Sequence, residues 1–174
     1  MDQGMTGFFA QIPEQLERAF GQAVDTREER LKKTMLVLVS GCVLGLAPFW
    51  AWIYFALGHP LSGSIPLGYS LVSALTLGTF YFTKKYRFFR ASQLFLILWL
   101  PFLLQWSLGG FAASSAVCLW AVLAPLGALM FASAGQSLYW LVAFLALLVF
   151  SAVIDPRVAA ATERLPSSVV VLFY

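Results

Sequence analysis

Charge is what this chain has least of. Of its 174 residues only 11% are Asp, Glu, Lys or Arg, while 60% are hydrophobic. A soluble domain carries about 25% charged residues. Eight acids and eleven bases cannot cover a water-facing surface of this size, and the mean hydropathy is +0.82. The composition belongs in a bilayer.

Other absences narrow the chemistry. His59 is the only histidine, so a haem held by two histidines of one chain is excluded. The acids are confined to Asp2, Glu14, Glu17, Asp25, Glu28 and Glu29 near the start and to Asp155 and Glu163 near the end. The long apolar stretches therefore carry no carboxylate, which disfavours a metal site, a proton-coupled pump or an acid-lined ion path there. There is no nucleophile with its base, no phosphate-cradling glycine loop and no pair of metal-binding carboxylates. No catalytic residue, cofactor-binding residue or metal ligand is expected in this chain. Cys42 and Cys118 are the two cysteines. They sit at helix depths that differ by ~10 Å at 1.5 Å per residue, whereas bridged Cα atoms lie within ~7 Å. They read as small apolar packers.

What is present is long hydrophobic runs. A helix needs ~20 apolar residues to cross a ~30 Å hydrocarbon core. Five uncharged segments meet this, at 34–57, 65–83, 92–108, 112–132 and 137–154. A further run, "SSVVVLFY", starts at 167 and reaches Tyr174. Its eight residues would cover only ~12 Å as helix, so it reads as the start of a truncated sixth. The connectors are short, which makes successive helices antiparallel neighbours. The expected fold class is all-α: a polytopic membrane helix bundle, 34–174, with five complete transmembrane helices and the start of a sixth. Residues 1–33 form a separate cytosolic segment. Within it Ile12, Leu16, Phe20 and Val24 recur every fourth residue between Glu14, Glu17, Arg18 and Gln22. That spacing predicts an amphipathic helix, more simply a membrane-surface element than a signalling contact. Its scattered acids and lack of a continuous apolar stretch do not read as a secretory leader.

The stretch "KKYRFFR" interleaves Lys84, Lys85, Arg87 and Arg90 with Tyr86, Phe88 and Phe89. Such a pattern can bind nucleic acid, but a short hairpin against a membrane leaves little surface for that. Basic residues beside spans mark the cytoplasmic side. Nine of the eleven, namely Arg18, Arg27, Arg30, Lys32, Lys33, Lys84, Lys85, Arg87 and Arg90, share one side if the N-terminus is inside. Only Arg157 and Arg164 lie opposite. The stretch is thus a topology anchor, with the N-terminus and the end of a completed sixth helix in the cytoplasm.

Two other features stand out. "GCVLG" places Gly41 and Gly45 one turn apart, a spacing that lets another backbone approach. A dimer seam and packing within the bundle account for it equally well. In "LPFLLQWSLGGF", Pro101 frees a carbonyl and Gln105 is a polar residue that will seek an interior partner. Trp106, Ser107, Ser114, Ser115 and Trp120 lie near the same outer level. Together with Gln105 they are candidates for a small outer pocket taking a lipid-like or aromatic ligand. Interhelical hydrogen bonds and an interfacial aromatic belt are the plainer account.

The run from "YRFFR" through "LPFLLQWSLGGF" to "SSAVCLWAVLAPLGAL" resembles the membrane domain of bacterial class III adenylate cyclases. The likeness covers most of the chain, from "EERLKK" to "LPSSVVVLFY". In that family an N-terminal six-helix anchor precedes a cytoplasmic cyclase domain. The resemblance implies a receptor-like regulator in the bacterial inner membrane, acting as a homodimer. Cyclic AMP would be made from ATP by a catalytic domain outside this chain, with Mg or Mn held there and no cofactor here. The lipid bilayer and a small lipophilic ligand are then the expected partners, and nucleic acid is not. From a different class, a small stand-alone transporter or channel subunit is the alternative, and a purely structural dimerising anchor is a third.

Overall fold

The computed structural model describes residues 15, 19–21 and 25–161. Those residues are mostly helical, without a strand, and several of the helices are long and apolar.

Helix α1, Arg27–Ala56, starts at a capping box: Thr26 Oγ1 accepts from Glu29 N (3.3 Å), and Glu29 Oε2 accepts from Thr26 N (3.0 Å). Reciprocal pairing satisfies two of the orphan amides at a helix start. Gly58, in the left-handed region (φ 80°), and Pro60 turn the chain into α2, Pro60–Thr83. Proline suits the first helical position because its missing N–H is not needed there. Lys84 (φ 54°) ends α2, and α3, Tyr86–Leu108, follows after one more residue. Gly109 (φ 99°) closes α3. A 3-10 helix, Val117–Val122, leads into α4, Leu123–Phe131, and α5 is Ala134–Ala161.

Against the expected spans, α1, α2, α3 and α5 run longer and are long and apolar enough to cross a membrane. Most of "KKYRFFR" is the first turn of α3, not a connector. The fourth segment differs more. Residues 112–116 are turn, and the helical part is Val117–Phe131. Local bonding explains this. Ser114 Oγ donates back to Gly110 O (2.8 Å), and Ser115 and Ala116 are left-handed (φ 52° and 55°). Hydroxyls that bond nearby backbone compete with helix. Because 3-10 turns rise ~2.0 Å per residue, the segment still reaches ~25 Å. The sixth run from 167 lies outside the described residues, as does most of the expected amphipathic helix. Of the latter, Gln15, Ala19 and Phe20 are described and helical.

The helices form an antiparallel series, α1 on α2, α2 on α3, α3 on the 3-10 helix and α4, and these on α5. At the end bearing Lys84 and Arg90, here the basic end, Phe20, Leu36, Val37, Phe80, Phe89 and Phe131 form one core cluster. Phe20 stacks on Phe80 (5.4 Å between centroids) and Phe80 on Phe89 (5.0 Å). At the opposite end Tyr54, Leu104 and Leu108 pack together. Between α3, the 3-10 helix, α4 and α5 lies a third cluster around Phe102, Cys118 and Phe144. Most large apolar side chains on the outer faces are exposed, the pattern of helices whose solvent is lipid.

Candidate functional site

The polar residues named as candidates for an outer pocket or for interhelical contacts are spread over four different contacts. Gln105 is fully buried against the 3-10 helix. Its Oε1 accepts from Cys118 N (3.4 Å), and its Nε2 bonds no described residue. Trp106 turns to α5, where Nε1 donates to Ser151 Oγ (2.9 Å). Ser107 turns to α2 and shares a 3.0 Å hydrogen bond with Ser62 Oγ. Ser114 is buried and bonded to Gly110 O, while the Ser115 hydroxyl is buried without a described partner. Trp120 is 66% exposed on the 3-10 helix. Spacing along one helix scatters neighbouring residues around its axis, so Gln105, Trp106 and Ser107 must face three ways. The result is a set of ties between α3 and its neighbours.

Trp120 does line a concavity, on another face. A cleft of about 730 Å³ opens between α1, α2, α3 and the 3-10 helix, in the half of the bundle away from the basic end. Its α1 wall is Val43, Ala47, Trp50 and Tyr54, one stripe of the helix; α2 adds Pro66 and Tyr69, and α3 adds Pro101. No charged side chain among the described residues lines it.

At the basic end the four anchor residues divide into two pairs. Lys85 and Arg87 are exposed. Lys84 turns inward, donates to Ala19 O, and lies over the rings of Tyr81 (4.8 Å) and Phe20 (5.8 Å). Arg90 donates to Phe131 O (2.8 Å) at the end of α4 and to Gln136 Oε1 (2.9 Å) at the start of α5. Its guanidinium also lies over the Tyr86 ring (5.5 Å), and Lys33 approaches the same ring (5.8 Å). Lys33 is paired with Asp25 at 2.6 Å, with both side chains under a tenth exposed. An ion pair this dry requires good geometry to offset desolvation. One cluster therefore fastens the segment before α1 to α2, α3, α4 and α5.

Two sets of buried contacts between elements were not foreseen from the sequence. Gln93, fully buried, accepts from Ser73 Oγ (3.2 Å) and donates to Thr76 Oγ1 (3.0 Å). The signal was available, since Ser73 and Thr76 sit three residues apart on α2 and Gln93 is the first amide of α3. Asp155 on α5 accepts from Phe111 N (2.7 Å), fixing the loop after α3. Nothing in the sequence couples positions 111 and 155.

Gly41 and Gly45 lie on an exposed face of α1, and a Cβ on either would meet nothing within 4 Å. Packing among the described residues does not use them. Cys42 is free and exposed and Cys118 is free and buried. No group of three or more His, Cys, Asp or Glu that could hold a metal ion occurs among the described residues. Comparison of the chain with family models, with curated proteins and with solved structures found no match.

Proposed function

We propose that this chain is the membrane anchor and receptor-like regulatory domain of a bacterial class III adenylate cyclase. In this reading the fourth segment spans with α1, α2, α3 and α5, and the run from 167 begins a sixth helix. The basic end faces the cytoplasm of a cell whose inner membrane holds the bundle, and two chains pair. The catalytic domain, with its Mg or Mn, lies beyond this chain and turns ATP into cyclic AMP.

The observation that carries the reading is the junction at the basic end. The end that holds eight of the nine described basic residues is where the pre-α1 segment, α2, α3, α4 and α5 are tied by Lys33, Lys84 and Arg90. In this reading a helix shift within the bundle is passed to that cluster, on the side where ATP is. A tether alone needs one helix. An ion pathway needs polar groups along its length, and the buried amides here, Gln93 and Gln105, are occupied by or enclosed within interhelical contacts.

The test is expression of the complete gene product in a cyclase-deficient bacterium. Cyclic AMP should accumulate, and a cysteine placed between Lys84 and Arg90 should escape impermeant labelling from outside. A gene ending shortly after Tyr174, or continuing only with further spans, would return the reading to a transporter or channel subunit.

A further inference from the structure

We infer that the cleft between α1, α2, α3 and the 3-10 helix binds an uncharged lipophile carrying a hydroxyl group. The inference rests on the receptor reading for its purpose, but not for its chemistry. The volume, about 730 Å³, falls within the 300–1,000 Å³ typical of small-molecule sites. A lining without charge rejects an ion, because a desolvated charge needs a partner.

Polar groups at three places select the hydroxyl. Tyr69 is only 4% exposed and lines the cleft; its hydroxyl makes no hydrogen bond of full geometry with a described residue, and Ser73, its weak partner one turn on, donates instead to Gln93. Pro66 and Pro101, from facing helices, also line it. A proline has no N–H, so the carbonyl four residues earlier loses its helical donor; here those are Ser62 and Ile97. Carbonyls in α2 and α3 point toward opposite ends of the bundle, since the helices are antiparallel. Each freed carbonyl belongs to the turn before a proline that lines the cleft, and Tyr69 adds a hydroxyl to the α2 wall that Pro66 shares. An alcohol can accept from Tyr69 and donate to a carbonyl at once. A hydrocarbon would leave these groups unmatched. Trp50 and Trp120 supply aromatic walls for the apolar remainder.

The full chain in nanodiscs would be titrated with ω-bromododecanol, whose bromine quenches tryptophan, alongside ω-bromododecanoate and bromododecane. The alcohol should quench saturably and the carboxylate should not. Tyr69→Phe, which keeps the ring, should raise the apparent Kd about five- to tenfold, the loss of one hydrogen bond. Ala47→Phe, which fills the cleft, should remove saturation; if that variant fails to fold, Tyr69→Phe decides alone. Quenching that rises linearly and equally in Tyr69→Phe means partition into the bilayer, and overturns the inference. Quenching by acyl-brominated phospholipid that the alcohol does not relieve assigns the cleft to a bilayer lipid, and also overturns it. Binding is read without nucleotide, so its failure leaves the cyclase reading standing, and the reverse holds.

Discussion

The Lys33–Asp25 pair offers a sharp test of how the pre-α1 segment is held. Lys33 Nζ lies 2.6 Å from both Asp25 oxygens, with side chains 7% and 9% exposed. Removing one partner of a buried pair costs ~3–5 kcal/mol, because the other charge is left desolvated. Asp25 precedes the helix cap and can reach water if its segment swings away, so Lys33→Met should cost ~1–3 kcal/mol, below that range. Asp25→Asn strands an ammonium inside the first turns of α1 and should cost ~3 kcal/mol. The lysine's position over Tyr86, at 5.8 Å, recovers little of this, since such contacts contribute ~0.5–1 kcal/mol near a surface. The double variant removes both charges and should recover most of the loss. Reversible SDS unfolding in mixed micelles gives the double-mutant cycle. A maleimide assay on Phe20→Cys reports whether the segment has come away, and it should react faster in both single variants. If the two losses add to within ~0.5 kcal/mol, the limit for independent sites, the pair does not fasten the segment.

Three further outcomes are expected. Gln93→Leu should destabilise by ~1–3 kcal/mol, because it strands the buried Ser73 hydroxyl, whereas Gln105→Leu should cost less, since it gives up one long bond from Cys118 N while removing the unbonded Nε2; SDS unfolding of both variants tests the contrast. Gly110→Ala should destabilise by ~2 kcal/mol or more: Gly110 sits at φ 97°, and a Cβ there collides with the Asp155 carboxylate, a combination of backbone strain and overpacking. The paired variant Gly110→Ala/Asp155→Ala would relieve the collision but not the strain, so recovery should be partial. Gly41→Leu and Gly45→Leu should leave the unfolding of a single chain within ~0.5 kcal/mol, as surface changes do, while lowering crosslinking through Cys42 between chains; unchanged crosslinking would remove the case for a dimer seam there.

Much of the architecture was readable along the chain, because membrane solvent punishes the alternatives. Unpaired backbone in hydrocarbon costs several kcal/mol per group, so an apolar run of sufficient length has little choice but helix. Charge scarcity, the helical class and four of the long helices follow from that constraint. The helix ends were less legible. Runs of hydropathy end where charge begins, but Thr26 and Tyr86 start helices inside charged sequence, where capping and lipid-facing aromatics allow the coil to continue. The fourth segment read as one helix because its hydropathy is unbroken; positive φ at Ser115 and Ala116 and the Ser114 bond to Gly110 divide it.

Composition and order of residues by themselves determined that this is a helical chain of membrane character. They also named the polar side chains that had to find partners. Which partners those are was decided only in three dimensions. Gln105, Trp106 and Ser107 are adjacent in sequence, yet α3 turns them toward the 3-10 helix, α5 and α2. Lys84 and Arg90 looked like two more headgroup anchors beside Lys85 and Arg87, until the packing of five elements at one end drew them inward. A helix rotates each successive residue by about 100°, so neighbours in the chain become neighbours of different helices, and only the assembled bundle says which.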